Sequence, residues 1–377
     1  MKICAVSYLF PNPDKPILGS YVKEQLEELA KNHEVNIITI GKPHWKVPKE
    51  EFIDKIHIHR IIANKFYFPI KCFLKLIELD KKYSFDVLHA HFTGYLTLMA
   101  GLAAKIRKKP FFITTYGISL DPKAVSFFKI ITIRWCFKLA KKIISISHYT
   151  KSLSENYAPK EKHTVITPGI TLSRLRVTTS EKKFRKKNKL ENRILLLSVG
   201  GLVWRKGHDT IISVLPPIVK KYPSLNYIII GKGAEEKNLK NQVKDLSLEK
   251  NVIFWPRWSS DEELANFYNA IDIFVLMSRT RGVAVEGFGI VYVEANALGK
   301  PVIGGKGGGT IDAVANGKSG FLINPDDKEE LKNKLILLIK NKKLRQKMGK
   351  YGREYTRKNH LWKYKVEQIL KVYNGFT

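Results

Sequence analysis

The stretch 194–207 reads ILLLSVGGLVWRKG, and on it turns the architecture of the whole chain. Ile194–Val199 is a short, nearly apolar run of the length of a buried strand. Gly200 and Gly201 end it, a basic loop follows, and past Gly207 a helical pattern covers Asp209–Lys221. Strand, glycine turn and helix in that order make the repeating unit of a parallel α/β sheet. The run is a restart, because one series of such units lies before it and a second begins with it.

Upstream, buried strands are expected at Ile3–Val6, Val35–Ile40, Asp86–Ala90, Phe111–Thr115, Ile143–Ile146 and Val165–Thr167. Val22, Leu26, Leu29 and Ala30 form an apolar helical stripe, and a further helix is expected over Leu96–Ile106. The basic stretch Glu181–Lys189 then breaks the pattern and reads as an interdomain linker or an exposed loop. Downstream, strands are expected at Tyr227–Ile230, Val252–Trp255, Ile273–Leu276, Pro301–Ile303 and Phe321–Ile323. Helices fall roughly over Glu235–Leu246, Glu262–Asn269 and Ile290–Leu298, and almost everything after Asp326 is helical. The partition is an N-terminal domain over 1–180, a linker over 181–192, a second domain over 193–355 and a terminal helix over 356–377. Both domains are α/β, and ligands of such sheets bind at the carboxyl ends of the strands, which places the site in the cleft where two domains face each other.

The chain has 377 residues, enough for two domains. Its 66 Lys and Arg against 34 Asp and Glu leave a net charge of +32, which predicts an anionic partner. Cys4, Cys72 and Cys136 are far apart and without metal-type spacing, which argues against a disulfide framework or a structural zinc and suits a cytoplasmic protein. No secretory leader is expected, since Lys2–Leu9 runs from a short strand straight into a loop. No run of about 20 uncharged apolar residues suggests a membrane span.

The chemistry is concentrated between Ser278 and Gly309. Glu286 precedes Gly287, Phe288 and Gly289, and a helix opens at Ile290 and Val291. Glycines let backbone N–H groups approach a ligand, and a helix N-terminus suits a diphosphate. Glu294, just over one turn into that helix, would repel phosphate but can accept the hydroxyl protons of a ribose. Glu286 can accept hydroxyls of a sugar. Taken singly, each carboxylate could equally be a solvated surface charge. Their setting, with a Pro301-Val302-Ile303 strand and the triple glycine Gly307-Gly308-Gly309 after them, favours a site.

These residues resemble the donor-binding core of the family 4 retaining glycosyltransferases of GT-B fold. The resemblance lies in Glu286 and Glu294 with Gly-Phe-Gly-Ile-Val between them, and continues through Gly299, Pro301, Gly308-Gly309, Gly317, Gly320 and Asp326. It covers nearly all of the C-terminal half and, more weakly, the N-terminal half. It implies two Rossmann-like domains facing across a cleft, with the C-terminal helix crossing back to the N-terminal domain. It also implies that Glu294 binds the donor ribose, that Glu286 contacts the donor sugar, and that backbone amides of Phe288–Val291 hold phosphate and sugar. Gly19, Gly231 and Arg257 fall on the donor side by the same resemblance.

In Gly200–Gly207 the family pairs an Arg with a Lys five residues later, both gripping the pyrophosphate. Lys206 matches the Lys, Gly201 stands at the Arg position, and Arg205 is a substitute expected to point elsewhere. In the N-terminal half, Asp86-Val87-Leu88-His89-Ala90-His91 resembles the family's Asp-x-x-His-x-His strand. Tyr116-Gly117 stands where the family has His-Gly, near the reacting sugar. Tyr116, Gly117 and His91 are thus the acceptor-side candidates, while a satisfied structural histidine remains an equal reading of the two His.

The implied activity is a retaining transfer of a sugar from a nucleotide-diphosphate sugar to a glycan or lipid-linked acceptor. Lys206, Arg205 and Glu286 are the catalytic candidates. No metal or other cofactor is expected, because no Asp-x-Asp pair occurs and Lys206 with helix amides can carry the phosphate charge. A non-catalytic sugar-nucleotide or polyanion-binding protein, or a nucleotide-sugar epimerase, are the alternatives. Aromatics interleaved with cations at Lys65–Lys75 and Phe127–Trp135 suggest peripheral contact with an anionic membrane, on its inner face. Nucleic acid has no motif to support it.

Overall fold

The computed structural model describes residues 1–377 except 16–17, 43, 46, 65, 118–119, 256–259, 283 and 285. The chain divides into two compact units, Met1–Gly169 with Trp362–Thr377, and Ile170–Leu361.

The first unit runs β1 (Lys2–Val6), α1 (Ser20–Leu29), β2 (Glu34–Gly41), β3 (Glu50–Ile53), β4 (Ile56–Ile62), α2 (Phe68–Tyr83), β5 (Val87–His91), α3 (Tyr95–Ile106), β6 (Phe111–Thr115), α4 (Phe127–Leu139), β7 (Lys142–Ser145), α5 (His148–Ser154) and β8 (His163–Val165). Its strands form one sheet in the order β3-β4-β2-β1-β5-β6-β7-β8, parallel except for the edge pair β3–β4. Strand alternation sorts the core into two layers. Cys4 and Val6 face α2, α3 and α4, while Ile3 and Ala5 face α1 and the chain's last helix.

The second unit runs α6 (Glu181–Lys187), β9 (Ile194–Val199), α7 (His208–Lys221), β10 (Leu225–Ile230), α8 (Glu236–Asp245), β11 (Val252–Trp255), α9 (Asp261–Ala270), β12 (Ile273–Leu276), α10 (Ile290–Ala297), β13 (Val302–Gly305), α11 (Thr310–Ala313), β14 (Gly320–Ile323), α12 (Lys328–Lys340) and α13 (Lys342–Asn359). Its sheet, β11-β10-β9-β12-β13-β14, is parallel throughout. The last helix, α14 (Trp362–Asn374), rejoins the first unit, where Trp362, Val366, Ile369 and Tyr373 are buried in its core.

Three expectations need correction. The supposed linker is mostly α6. Ser180 caps it by accepting from the Lys183 amide at 3.4 Å, and Phe184 is buried against the Phe267 ring at 5.0 Å. A single apolar anchor holds a segment that reads as solvated charge. The break between units falls after Gly169 rather than after 180, and α14 starts at Trp362 rather than 356. The hairpin β3–β4 was not expected, because its strands carry glutamates, histidines and an arginine among their apolar residues. Cys4, Cys72 and Cys136 are buried thiols without disulfides.

Candidate active site

In the second unit the chain moves from β9 outward to β10 and β11 and returns to β12 on the other side of β9. The carboxyl ends of β9 and β12 therefore flank a topological switch point, where parallel sheets bind ligands. The loops 200–207 and 277–289 leave the sheet there.

The first loop ends in one 3₁₀ turn, Trp204–Lys206, and Gly207 follows at φ 66° as the N-cap of α7. A Cβ at Gly207 would run into the Met277 carbonyl, so only glycine fits where the two loops meet. The Arg279 amide donates to the Arg205 carbonyl at 2.7 Å, and the Arg279 guanidinium lies 4.9 Å over the Trp204 ring. That guanidinium also donates to Asp209 and, at 3.0 Å, to Thr210. Gly231 closes β10 at φ 155°, and a Cβ there would strike the Gly200 carbonyl.

Glu286 is the focus of the second loop. Its Oε2 accepts from Lys206 Nζ at 2.6 Å, Arg205 Nη1 at 2.7 Å and Ser278 Oγ at 3.1 Å. Arg205, expected from sequence to point elsewhere, instead reaches the same carboxylate oxygen as Lys206. Successive side chains of a 3₁₀ turn diverge by about 120°, yet both are long enough to reach one oxygen from two sides. Burial pushes the Glu286 carboxyl up, but Lys206, Arg205 and the Ser278 hydrogen bond outweigh it and hold it below its ordinary 4.5.

Beyond Glu286, the Gly309 amide donates to the Glu286 carbonyl at 2.7 Å. A Cβ at Gly308 or Gly309 would meet the carbonyls of Glu286 and Gly287, so the triple glycine allows the two loops to touch backbone to backbone. Phe288 turns inward, 3% exposed, with its ring 5.7 Å from His360. Gly289 caps α10 in the left-handed region at φ 91°; no side chain caps the helix and its first turn holds no acid. The amides of Ile290 and Val291 thus open a helix whose positive end is set for an anion. One turn on, half-buried Glu294 accepts from the Tyr268 hydroxyl at 2.8 Å.

In the first unit, His91 and Tyr116 stand at the carboxyl ends of β5 and β6. His91 Nδ1 is 2.8 Å from the Tyr116 hydroxyl, and burial pushes the imidazole down to about 3, leaving it neutral. Tyr116 stacks on Phe92 at 4.4 Å and lies against Tyr21 at 4.8 Å. Gly117 follows at φ 81°. His89 is a structural histidine: Tyr373 at 2.5 Å and Thr114 at 2.8 Å satisfy its two nitrogens. Gly19 caps α1 at φ 71°, where a Cβ would collide with the Leu9 carbonyl.

Two family models match: "Glycosyltransferase Family 4" over residues 18–174 and "Glycosyl transferases group 1" over 179–355. The chain belongs to the family 4 glycosyltransferases. It is 25% identical over 379 residues to a GDP-mannose-dependent phosphatidylinositol monomannoside mannosyltransferase of Mycolicibacterium smegmatis, covering 97% of this chain and 96% of that one. It is 27% identical over 368 residues to the capsular polysaccharide biosynthesis glycosyltransferase CapM of Staphylococcus aureus, covering 94% and 93%. Anabaena HepE, solved with UDP, superposes with a TM-score of 0.81 at 19% identity over the whole of both chains, a likeness of fold. The architecture is GT-B.

In this glycosyltransferase the chain brings together Glu286, Lys206 and Arg205, and places Gly287–Val291 and Glu294 on the same loop and helix. Gly231 belongs to the neighbouring strand end; Gly19, His91, Tyr116 and Gly117 lie in the first unit. Arg257 lies outside the described residues. Sequence reasoning missed Ser278 and Tyr268. Ser278 sits just after β12, where strand ends carry chemistry, and could have been found; Tyr268 bridges 26 residues and leaves no local signal.

Proposed function

We propose that this glycosyltransferase moves a hexose with retention from a nucleoside diphosphate hexose to a glycan or lipid-linked acceptor. The observation that supports it is the convergence of Lys206 and Arg205 on Glu286 beside the uncapped start of α10. An ammonium has three donors, so Lys206 can keep Glu286 and take a diphosphate oxygen as well. Charge grows on that diphosphate as the glycosidic bond breaks, and a preorganised cation with two helix amides stabilises it. In this reading no metal is needed, because those groups meet the charge. Glu286, held anionic by two cations, is a weak nucleophile that still accepts hydrogen bonds, which suits sugar hydroxyls better than a covalent intermediate. Glu294, already accepting a hydroxyl from Tyr268, would accept the ribose hydroxyls.

His91 with Tyr116 forms the acceptor side, where Tyr116 supplies a hydroxyl in place of the family's imidazole. A lipid-linked acceptor is favoured by the Mycolicibacterium relative, whose name gives a phosphatidylinositol mannoside. It also fits the surface of the first unit. Phe66, Tyr67, Ile70 and Leu74 at α2, and Phe127, Phe128, Ile131 and Trp135 on α4, are exposed large hydrophobics. Lys71, Arg134 and Lys138 are exposed among them. Phe68 and Phe73 of the same stretches pack on the core, but the exposed side chains with their cations suit the inner face of an anionic membrane. Among the described residues, no helix is long and apolar enough to cross one.

The test is turnover with GDP-mannose and with UDP-glucose, each offered a lipid extract as acceptor, following release of the nucleoside diphosphate and the anomeric configuration of the product. Retained configuration with either donor is the expected result; an inverted product, or release that needs no acceptor, overturns the reading.

A further inference from the structure

The edge hairpin of the first unit carries a cluster that the sugar transfer does not use. His57 and His59 are two apart on β4 and share a face of the sheet. Glu50 on β3 lies directly across from His59 in the antiparallel pairing, and Phe52 across from His57. Asp54 and Lys55, both at positive φ, make the tight turn that sets this register.

The donor atoms converge. His59 Nδ1 is 3.4 Å from Glu50 Oε1 and His57 Nε2 is 3.7 Å from Glu50 Oε2. All three ligand atoms lie within 4.8 Å of one another. Two donors held at about 2.0–2.1 Å by one tetrahedral zinc ion are about 3.3 Å apart, so small side-chain shifts close the set.

His59 supplies the independent sign. It is 1% exposed, and its Nε2 pairs with Asn36 Oδ1 at 2.9 Å. A carbonyl oxygen only accepts, so Nε2 carries the proton and Nδ1 keeps its lone pair. That Nδ1 is buried, makes no hydrogen bond, and faces the Glu50 carboxylate. In this tautomer the Nδ1 lone pair and the carboxylate face each other across 3.4 Å, a gap that a cation can fill. An imidazole whose far N–H is fixed by an amide oxygen is also the usual outer support of a metal-bound histidine. Phe52 stacks on the His57 ring at 4.2 Å and holds it in place.

We propose that Glu50, His57 and His59 bind one divalent transition ion of the zinc class, which pins the edge hairpin to the sheet. Two imidazoles and a carboxylate suit zinc, cobalt(II) or nickel(II) rather than magnesium or calcium. Half-exposed Glu50 opens the site to solvent and leaves a fourth position for water. Lys75, 3.3 Å from Glu50 Oε1 and also paired with Glu78 at 2.8 Å, shares the carboxylate and moderates the affinity. The spacing of the cysteines speaks against a zinc site, but it does not bear on a His-x-His strand paired with an acidic one. His57 and His59 are the second and fourth residues of β4, whereas His91 and Tyr116 close or follow β5 and β6, so the ion has no part in the transfer.

Cobalt(II) titrated into the untagged, chelator-treated full chain tests this. The expected result is visible absorption of tetrahedral intensity that saturates at one equivalent and is displaced by zinc. Glu50→Gln changes a half-exposed side chain and His57→Gln a mostly buried one at the sheet edge; each is expected to weaken cobalt binding at least tenfold, and Glu50→Gln to melt like the parent in chelator. No saturable absorption, or the same spectrum and affinity in both variants, overturns the site.

Discussion

The Lys206 ammonium lies 2.6 Å from Glu286 Oε2, a residue 80 positions further along the chain. The contact joins the loop after β9 to the loop after β12 and neutralises the carboxylate that faces the switch point. Arg205 doubles it, so losing Lys206 leaves Glu286 paired. Lys206→Ala is therefore expected to fold. Turnover is expected to fall by about 10²–10³, the scale for one preorganised electrostatic partner. Affinity for the nucleoside diphosphate should fall more than affinity for the nucleoside, as measured by calorimetry. Equal losses for both would place Lys206 away from the phosphates.

Glu294→Ala removes the acceptor of the Tyr268 hydroxyl and, in this account, of the ribose. A charge-assisted hydrogen bond contributes roughly 1.5–3 kcal/mol, so nucleoside affinity should drop about tenfold to a hundredfold. Tyr268→Phe leaves the carboxylate and removes one of its hydrogen bonds, and a smaller loss is expected. A larger loss from Tyr268→Phe than from Glu294→Ala would contradict the assignment.

The strands that carry this site were legible because buried parallel strands read as apolar runs, as Ile194–Val199 and Ile273–Leu276 do. The carboxylates and glycines of 286–294 were legible because their spacing is local. What escaped was held by single or distant contacts. Phe184 alone converts a basic stretch into α6. The side-chain reach of Arg205 depends on where Glu286 lies, 81 residues away, and no periodicity reports that. The β3–β4 hairpin escaped because Glu50, His57, His59 and Arg60 interrupt its apolar pattern.

His208 gives a pH signature. It is 1% exposed beside Tyr227, and burial, reinforced by the Lys206 charge, pushes its imidazole from 6.5 down to about 4. The folded state thus binds fewer protons than the unfolded one across that interval. Stability is full above pH 6.5 and falls as pH drops toward 4, by an amount of roughly 3 kcal/mol at 1.36 kcal/mol per unit. Thermal unfolding followed from pH 7 to pH 4 should show a flatter decline in His208→Asn than in the parent. Parallel declines would mean that the imidazole is not held neutral.

Gly207 and Gly317 separate steric from conformational cost. Both have positive φ, 66° and 75°, but a Cβ at Gly207 meets the Met277 carbonyl and one at Gly317 meets nothing within 4 Å. Gly317→Ala should lose only the left-handed cost of about 1–2 kcal/mol. Gly207→Ala should lose clearly more and weaken nucleotide binding as Lys206 shifts. Equal melting temperatures for the two variants would contradict the loop packing.

Phe127 and Phe128 are 70% and 74% exposed at the start of α4. Flotation with acidic vesicles at low salt should capture the parent chain and release it as salt rises. Phe127→Ser with Phe128→Ser should float less while turning over a soluble acceptor normally. Parent protein that stays with the solution at low salt would remove the membrane from the account.

The most direct test of the central claim, that the second unit holds a nucleoside diphosphate sugar at Glu286, Lys206 and Glu294, is calorimetric titration of GDP and UDP into the full chain and its Glu294→Ala variant. The expected result is one-to-one binding of at least one of the two, weakened about tenfold to a hundredfold by the substitution. Failure of both nucleotides to bind the parent, or equal affinity in parent and folded variant, would contradict it.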